Sequence, residues 1–258
     1  MLSRRKKKAI RNGLVYIMII AGLSVAAYAY QWIDVYLQES LTTFKLVDIE
    51  INGNNILSRA EVLALCGLEE NGDELLTIKP PEVVKKICKS PYVKAANAVR
   101  SLPSKLRITI LEREPIAFIY GRGLNLIDED GILIPVPRND MRWNLPFITG
   151  IDESLGALGH KTVSQKALKG VEIISYLRMI PSSLNEMISE VDLNRSDYIA
   201  LLMTHGGAKV RIDKDNYQEN LFVLNQYFEK YLKWSELPVF EYVDVRFKDQ
   251  LVIKNKNG

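Results

Sequence analysis

The chain has 258 residues, 34 Lys+Arg against 31 Asp+Glu, and two cysteines. Two cysteines exclude a disulfide-dense scaffold. Six basic and no acidic residues lie in the first 33 positions, so the rest is slightly acidic and offers no polybasic surface for nucleic acid.

The basic residues are Arg4, Arg5, Lys6, Lys7, Lys8 and Arg11, and the uncharged run Leu14–Ile33 follows them. A helix of about 20 residues rises about 30 Å, the thickness of a bilayer hydrocarbon core. A basic flank directly before such a span holds the N-terminus in the cytoplasm. The expectation is a cytoplasmic tail over 1–13 and a transmembrane helix over 14–33, with everything later exported. Ala27-Tyr28-Ala29 has the small-x-small form of a signal-peptide cleavage site. The apolar run continues past it, and Tyr28, Tyr30, Trp32 and Tyr36 form an aromatic group at the outer interface. Both features favour a retained anchor.

Beyond the span, Val47, Ile49 and Ile51 alternate with Asp48 and Glu50, which predicts a half-buried strand. Asn52-Gly53-Asn54-Asn55 turns the chain, and Ser58-Arg59-Ala60-Glu61 is a capping box that starts a helix near Arg59. Gly67 ends that helix, and Pro80-Pro81 opens a second with Val83, Val84, Ile87 and Cys88 on one face. Cys66 and Cys88 read as two small buried thiols, although an export compartment would permit a bridge. Strands follow at 93–100 and around Leu106, Ile108 and Ile110, with Leu102-Pro103 between them. Two helices on one face of a three-stranded sheet make a compact α+β unit.

Further on, 118–120 and 124–127 flank Gly121-Arg122-Gly123, a predicted hairpin. Asp128, Glu129 and Asp130 read as an acidic, solvated turn rather than a cation site. Pro135, Pro137 and Pro146 break up a loop, and helical spacing returns near 161–179, with Leu168, Val171, Ile174 and Leu177 inward. Strands are predicted at 188–193, 198–203 and 209–212, and a helix at 217–233. Its apolar stripe is Tyr217, Leu221, Leu224, Phe228 and Tyr231. Two last strands are predicted at 242–247 and 250–254.

Several of these segments resemble one family. Ile51-x-Gly53-Asn54-x-x-Leu57-Ser58-x-x-Glu61 looks like the opening of a POTRA domain. Pro91-Tyr92-Val93, Leu102-Pro103 and Leu106-x-Ile108-x-Ile110-x-Glu112-Arg113-Glu114-Pro115-x-Ala117 look like its continuation. Leu126-Ile-Asp-Glu-Asp-Gly131, Leu145-Pro146-x-Ile148-x-Gly150 and Tyr242-Val-Asp-Val-Arg-Phe247 are similar to further elements. In this order, behind one anchor, they resemble the bacterial FtsQ/DivIB cell division family.

The resemblance implies a POTRA domain (βααββ) over 43–113 and a mostly antiparallel β domain with flanking helices over 114–258. It implies a scaffold at the septum of the inner membrane, single-pass, with its exported domains outside the cytoplasm. Implied partners are small coiled-coil membrane proteins of the FtsB and FtsL type and other divisome proteins. It implies no enzyme activity, no cofactor and no small-molecule substrate. The family's C-terminal strand receives a strand from FtsB, which places the contact at Arg246, Phe247, Gln250, Leu251, Val252 and Ile253. Phe247 would be the apolar anchor and Arg246 an ion-pair or hydrogen-bond partner. Core packing is the competing role for Tyr242, Val243 and Val245, and for Phe247 the two roles weigh equally.

No motif supports chemistry. His160 and His205 are the only histidines, without metal-ligand spacing to a second His or Cys. His205 before Gly206-Gly207 reads as a turn residue, and neither a nucleophile elbow nor a Walker-type phosphate loop occurs. Two other readings are an envelope assembly or secretion component with a POTRA domain, and an anchored envelope enzyme. A membrane β-barrel would need more strand than follows the POTRA segment here.

Overall fold

The computed structural model describes residues 4–42, 44–69, 74–121, 123–138, 141–231, 234–248 and 250–256. Helix α1 spans Arg4–Thr42. Within it Tyr16–Tyr36 is long and apolar enough to cross a membrane, and its side chains pack on nothing. The basic side chains of Arg4, Arg5, Lys6, Lys7, Lys8 and Arg11 lie outside the described residues, although their backbone is helical. The helix runs past both ends of the apolar stretch: no Pro interrupts it, Gly13 and Gly22 are tolerated inside it, and its flanking polar residues are compatible with helix.

A three-stranded sheet follows, in the order β1–β3–β2, from β1 (Asp48–Asn52), β2 (Val93–Ser101) and β3 (Lys105–Glu112). β3 pairs in parallel with β1 and antiparallel with β2. Helices α2 (Arg59–Cys66) and α3 (Pro80–Ile87) close one core with Ile49, Val62, Val83, Ile87, Leu106 and Ile108. The capping box forms as the sequence predicts: Glu61 N–H donates to the Ser58 hydroxyl, and the Ser58 N–H donates to the Glu61 carboxylate. Gly67 caps α2 in the left-handed region at φ 63°. Glu112 accepts the backbone N–H groups of Asn55, Ile56 and Leu57, which fixes the turn after β1. Cys66 is buried as expected, whereas Cys88 is exposed, because α3 ends at Ile87 and turns the next residue outward. Both thiols are free.

The second sheet has nine strands in the order β12–β11–β10–β9–β8–β7–β4–β5–β6. They are β4 (Pro115–Tyr120), β5 (Leu124–Asp128), β6 (Leu133–Pro135), β7 (Phe147–Thr149), β8 (Ile188–Asp192), β9 (Ile199–Met203), β10 (Lys209–Ile212), β11 (Phe240–Asp244) and β12 (Val252–Asn255). Most neighbours are antiparallel; β4–β7, β7–β8 and β10–β11 are parallel. Helices α4 (Gln165–Met179) and α5 (Tyr217–Lys230) lie on one face, over Ile119, Ile148, Val191, Leu201, Val210 and Val243. α4 starts later than the spacing near Lys161 suggests, because Ser164 caps it by accepting the Ala167 N–H. Tyr231 falls outside the α5 stripe and is exposed, since the helix ends at Lys230. The chain is thus α+β, with an N-terminal apolar helix and two sheets.

The two sheets meet through ion pairs. Arg113 reaches Asp128 at 2.8 Å, Lys94 reaches Glu129 at 3.2 Å and Asp130 at 3.0 Å, and Arg178 reaches Glu114 at 2.7 Å. The expectation of a solvated acidic turn fails at Asp128, which is buried at 2% exposure. Its second oxygen accepts the N–H groups of Asp130 and Ile132, so a buried carboxylate, satisfied on every side, folds this turn.

Candidate functional site: the C-terminal sheet edge

Each predicted contact residue sits at or beside β12, the last strand of the nine-stranded sheet. β12 pairs antiparallel with β11, with Val243 opposite Ile253 and Asp244 opposite Val252. Strand alternation turns Leu251 and Ile253 toward the core, where both are partly buried, and Val252 to the other face, where it is exposed. Lys254 is held by Glu241 at 2.7 Å, and this hydrogen-bonded carboxylate raises its pKa. Lys256 ties the end of the strand down, its N–H to Val239 O and its Nζ to Gly206 O.

Both strand boundaries differ from the sequence expectation. β11 begins at Phe240 and ends at Asp244, so Val245, Arg246 and Phe247 lie beyond it. The cause is Asp244, whose buried carboxylate takes the Arg246 Nε at 2.9 Å and Nη2 at 2.8 Å, as well as its backbone N–H. The Val245 N–H still donates to Arg211 O on β10, and the strand pairing stops after it, where the fork holds Arg246 back on Asp244. β12 begins at Val252, which leaves Gln250 and Leu251 on the approach to it.

Arg246 is therefore engaged inside its own chain. Its hydrogen bonds to Asp244 come first among the causes that raise its pKa, and Asp197 stands 3.7 Å away. Aromatic rings continue the arrangement. The Arg211 guanidinium lies 3.7 Å from the Tyr242 ring centre and 5.1 Å from Tyr198, and Arg246 lies 5.0 Å from Tyr198 and 5.7 Å from Phe247. Cations over aromatic faces hold such stacks together. Tyr242 thus packs on a cation, while Val243 and Val245 are core residues. Phe247, at the end of the stack, is 47% exposed.

Beside the strand runs a groove of about 600 Å³ between α5 and residues 245–248 and 250–251. Asn220, Val223 and Tyr227 form one wall, and Phe247, Gln250 and Leu251 the other. Tyr198, Val223 and Tyr227 carry no motif that announces them at this place, because each arrives from a distant element. His205, the other residue weighed for chemistry, is exposed in the β9–β10 turn beside Thr204.

The opposite edge is closed. β6 has three residues and ends in Pro135. The segment 159–162 covers it: Leu133 N–H donates to His160 O, Gly159 N–H to Leu133 O, and Thr162 N–H to Gly131 O. A bridge between Ile132 and Lys161 completes the cover.

Comparison with known proteins agrees with this architecture. The model of the FtsQ-type POTRA domain matches residues 44–113, and that of the C-terminal part of the cell division protein FtsQ/DivIB matches 117–246. A cell division protein FtsQ of Geotalea daltonii is 28% identical over 83% of this chain and 76% of its own length. The FtsQ of Geobacter sp. (strain M21) is 25% identical over 83% of this chain and 77% of its own length. That of Rhodothermus marinus is 20% identical over 97% and 90%. The C-terminal match alone covers half of the chain, and together with the POTRA match in front of it shows that the chain belongs to the FtsQ/DivIB family of cell division proteins.

Proposed function

We propose that this protein is a non-enzymatic scaffold of the division machinery that takes up a strand from a partner on the free edge of β12. Membership of a cell division family supports the setting. The edge position of β12 supports the mode, since among the described residues no strand pairs with its outer backbone N–H and C=O groups. α1 is the retained anchor, its N-terminus cytoplasmic, and the domains over 43–113 and 114–258 stand outside the inner membrane at the septum. The partner is a small single-span coiled-coil protein of the FtsB type, with an FtsL-type protein beside it.

The residues divide the work. Main-chain pairing at Val252–Asn255 supplies affinity, and side chains supply specificity. Phe247 is the exposed apolar anchor, with Gln250 and Leu251 on the same groove wall. Arg246 positions Phe247 through its fork on Asp244, and its Nη1, on Asp197 O at 3.4 Å, would have to exchange or share that contact to bind the partner. Val252→Pro removes one backbone donor and obstructs pairing. The full-length variant in detergent should melt with the wild type yet fail to retain the FtsB-type partner in a pull-down. Native retention by a folded Val252→Pro protein would rule out strand addition at this edge.

A further inference from the structure

The end of the first exported sheet that adjoins the anchor carries three exposed apolar side chains. Register brings them there. Asp48 pairs with Lys105, and Ser101 also pairs with Lys105, so the start of β1, the end of β2 and the start of β3 share one end of the sheet. Val47 N–H donates to Ser104 O at that end. The segment before α3 joins it through Leu75 N–H to Phe44 O, the Lys45–Glu74 bridge and Arg100 to Ile78 O. Val47 is 56% exposed, Leu76 46% and Leu102 62%. Leu102 stands in the β2–β3 turn, where apolar side chains have no conformational reason to be. The turns after β4 and β9 use Gly121-Arg122-Gly123 and His205-Gly206-Gly207 instead.

The chain leaves the membrane at this same end. The apolar span closes at Tyr36, and α1 continues only to Thr42. Six further helical residues rise about 9 Å. Only Thr43 separates that helix end from Phe44. We propose that this end of the sheet dips Val47, Leu76 and Leu102 into the headgroup and acyl boundary of the bilayer, an inference that rests on α1 being a retained anchor. A patch of three side chains binds a bilayer weakly when free. Tethered about 9 Å beyond the apolar span, it needs little intrinsic affinity. The attraction is apolar rather than electrostatic. Lys105 is paired with Asp48 at 3.1 Å and Lys79 with Glu82 at 3.2 Å, Lys45 stands across a bridge from the exposed Glu74, and Arg100 is held on Ile78 O. Basic and acidic groups are thus nearly balanced among the described residues of this end, which gives little to draw anionic lipid.

A nitroxide at Leu102→Cys tests this in the full-length chain, with Cys88→Ser removing the exposed thiol. Cys66 does not compete for label, because it is buried and desolvation pushes its thiol up to about 11. The protein is reconstituted in phosphatidylcholine vesicles, and flotation checks that α1 anchors it. The expected ratio of oxygen to nickel-chelate accessibility is several-fold higher at 102 than at Met179→Cys in the same background, a site 78% exposed on α4. Adding phosphatidylglycerol should not raise it. Equal ratios at 102 and 179 in floated vesicles would overturn the proposal, and so would a label at 102 that neither reagent reaches, which means protein cover. Failure to float would instead remove the anchor on which the inference rests.

Discussion

At β6 the nine-stranded sheet ends on three residues, one of them proline, beneath backbone hydrogen bonds from 159–162. At β12 it ends on Val252–Asn255, and no such cover lies over it among the described residues. Edge strands invite pairing, and folded proteins ordinarily protect them. One edge here has every usual protection: short length, proline and a covering loop. The other relies on Lys254 and a modest length. Among the described residues the sheet is guarded on one side and free on the other, and this asymmetry makes β12 the edge at which the proposed strand addition is to be tested.

Breaking the guarded side should have the largest effect on stability. Arg113→Ala leaves the buried Asp128 carboxylate without its 2.8 Å partner. Removing one member of a buried pair costs about 3–5 kcal/mol. Denaturant unfolding should show that loss, with faster amide exchange at Leu133, because Asp128 also holds the turn into β6. A loss under about 1 kcal/mol would mean the pair behaves as a surface bridge. Asp244→Asn probes the free side. It keeps the shape and weakens the charged fork to Arg246, a change worth about 1.5–3 kcal/mol. Partner affinity should fall while exchange at β6 stays unchanged; a loosened β6 would tie the two edges together.

Smaller effects should leave both edges alone. Ser58→Ala removes the α2 cap at a cost of about 1 kcal/mol, confined to the first sheet. Acid should act through caps of the same kind. The Ser58 side chain and backbone lower the pKa of Glu61, and the Ser164 side chain and the Lys166 N–H lower that of Glu153. Depressed carboxylate pKa values stabilise the fold above the unfolded value and lose that contribution as pH falls. Melting temperature should therefore decline below about pH 4.5, the ordinary value for both groups, and less steeply in Ser58→Ala. An unchanged acid slope in that variant would remove the cap from the explanation.

Local signals in the sequence were faithful where a single segment carries its own instruction. The α2 capping box, Pro80-Pro81 at the start of α3 and the hairpin at 121–123 formed where their chemistry places them. Strands β8, β9 and β10 follow from alternation and Gly206-Gly207. β7 was not legible as a strand. It is three residues long and pairs in parallel with β4 and β8, so no turn announces it. The end of β11 differs for another reason: a local side-chain fork between Asp244 and Arg246, two residues apart, competes with the apolar run through Val245. Asp128 looked solvated because its partner Arg113 belongs to the connection between the two sheets. At the candidate site, Phe247 and β12 follow from motif and position, whereas Tyr198, Val223 and Tyr227 depend on contacts between distant elements.

The most direct test of the account is amide hydrogen exchange of the full-length protein, in detergent, with and without the FtsB-type partner. Strand addition predicts new protection at Val252–Asn255 and none at Leu133–Pro135. Partner-induced protection elsewhere, with β12 exchanging as it does alone, would contradict it.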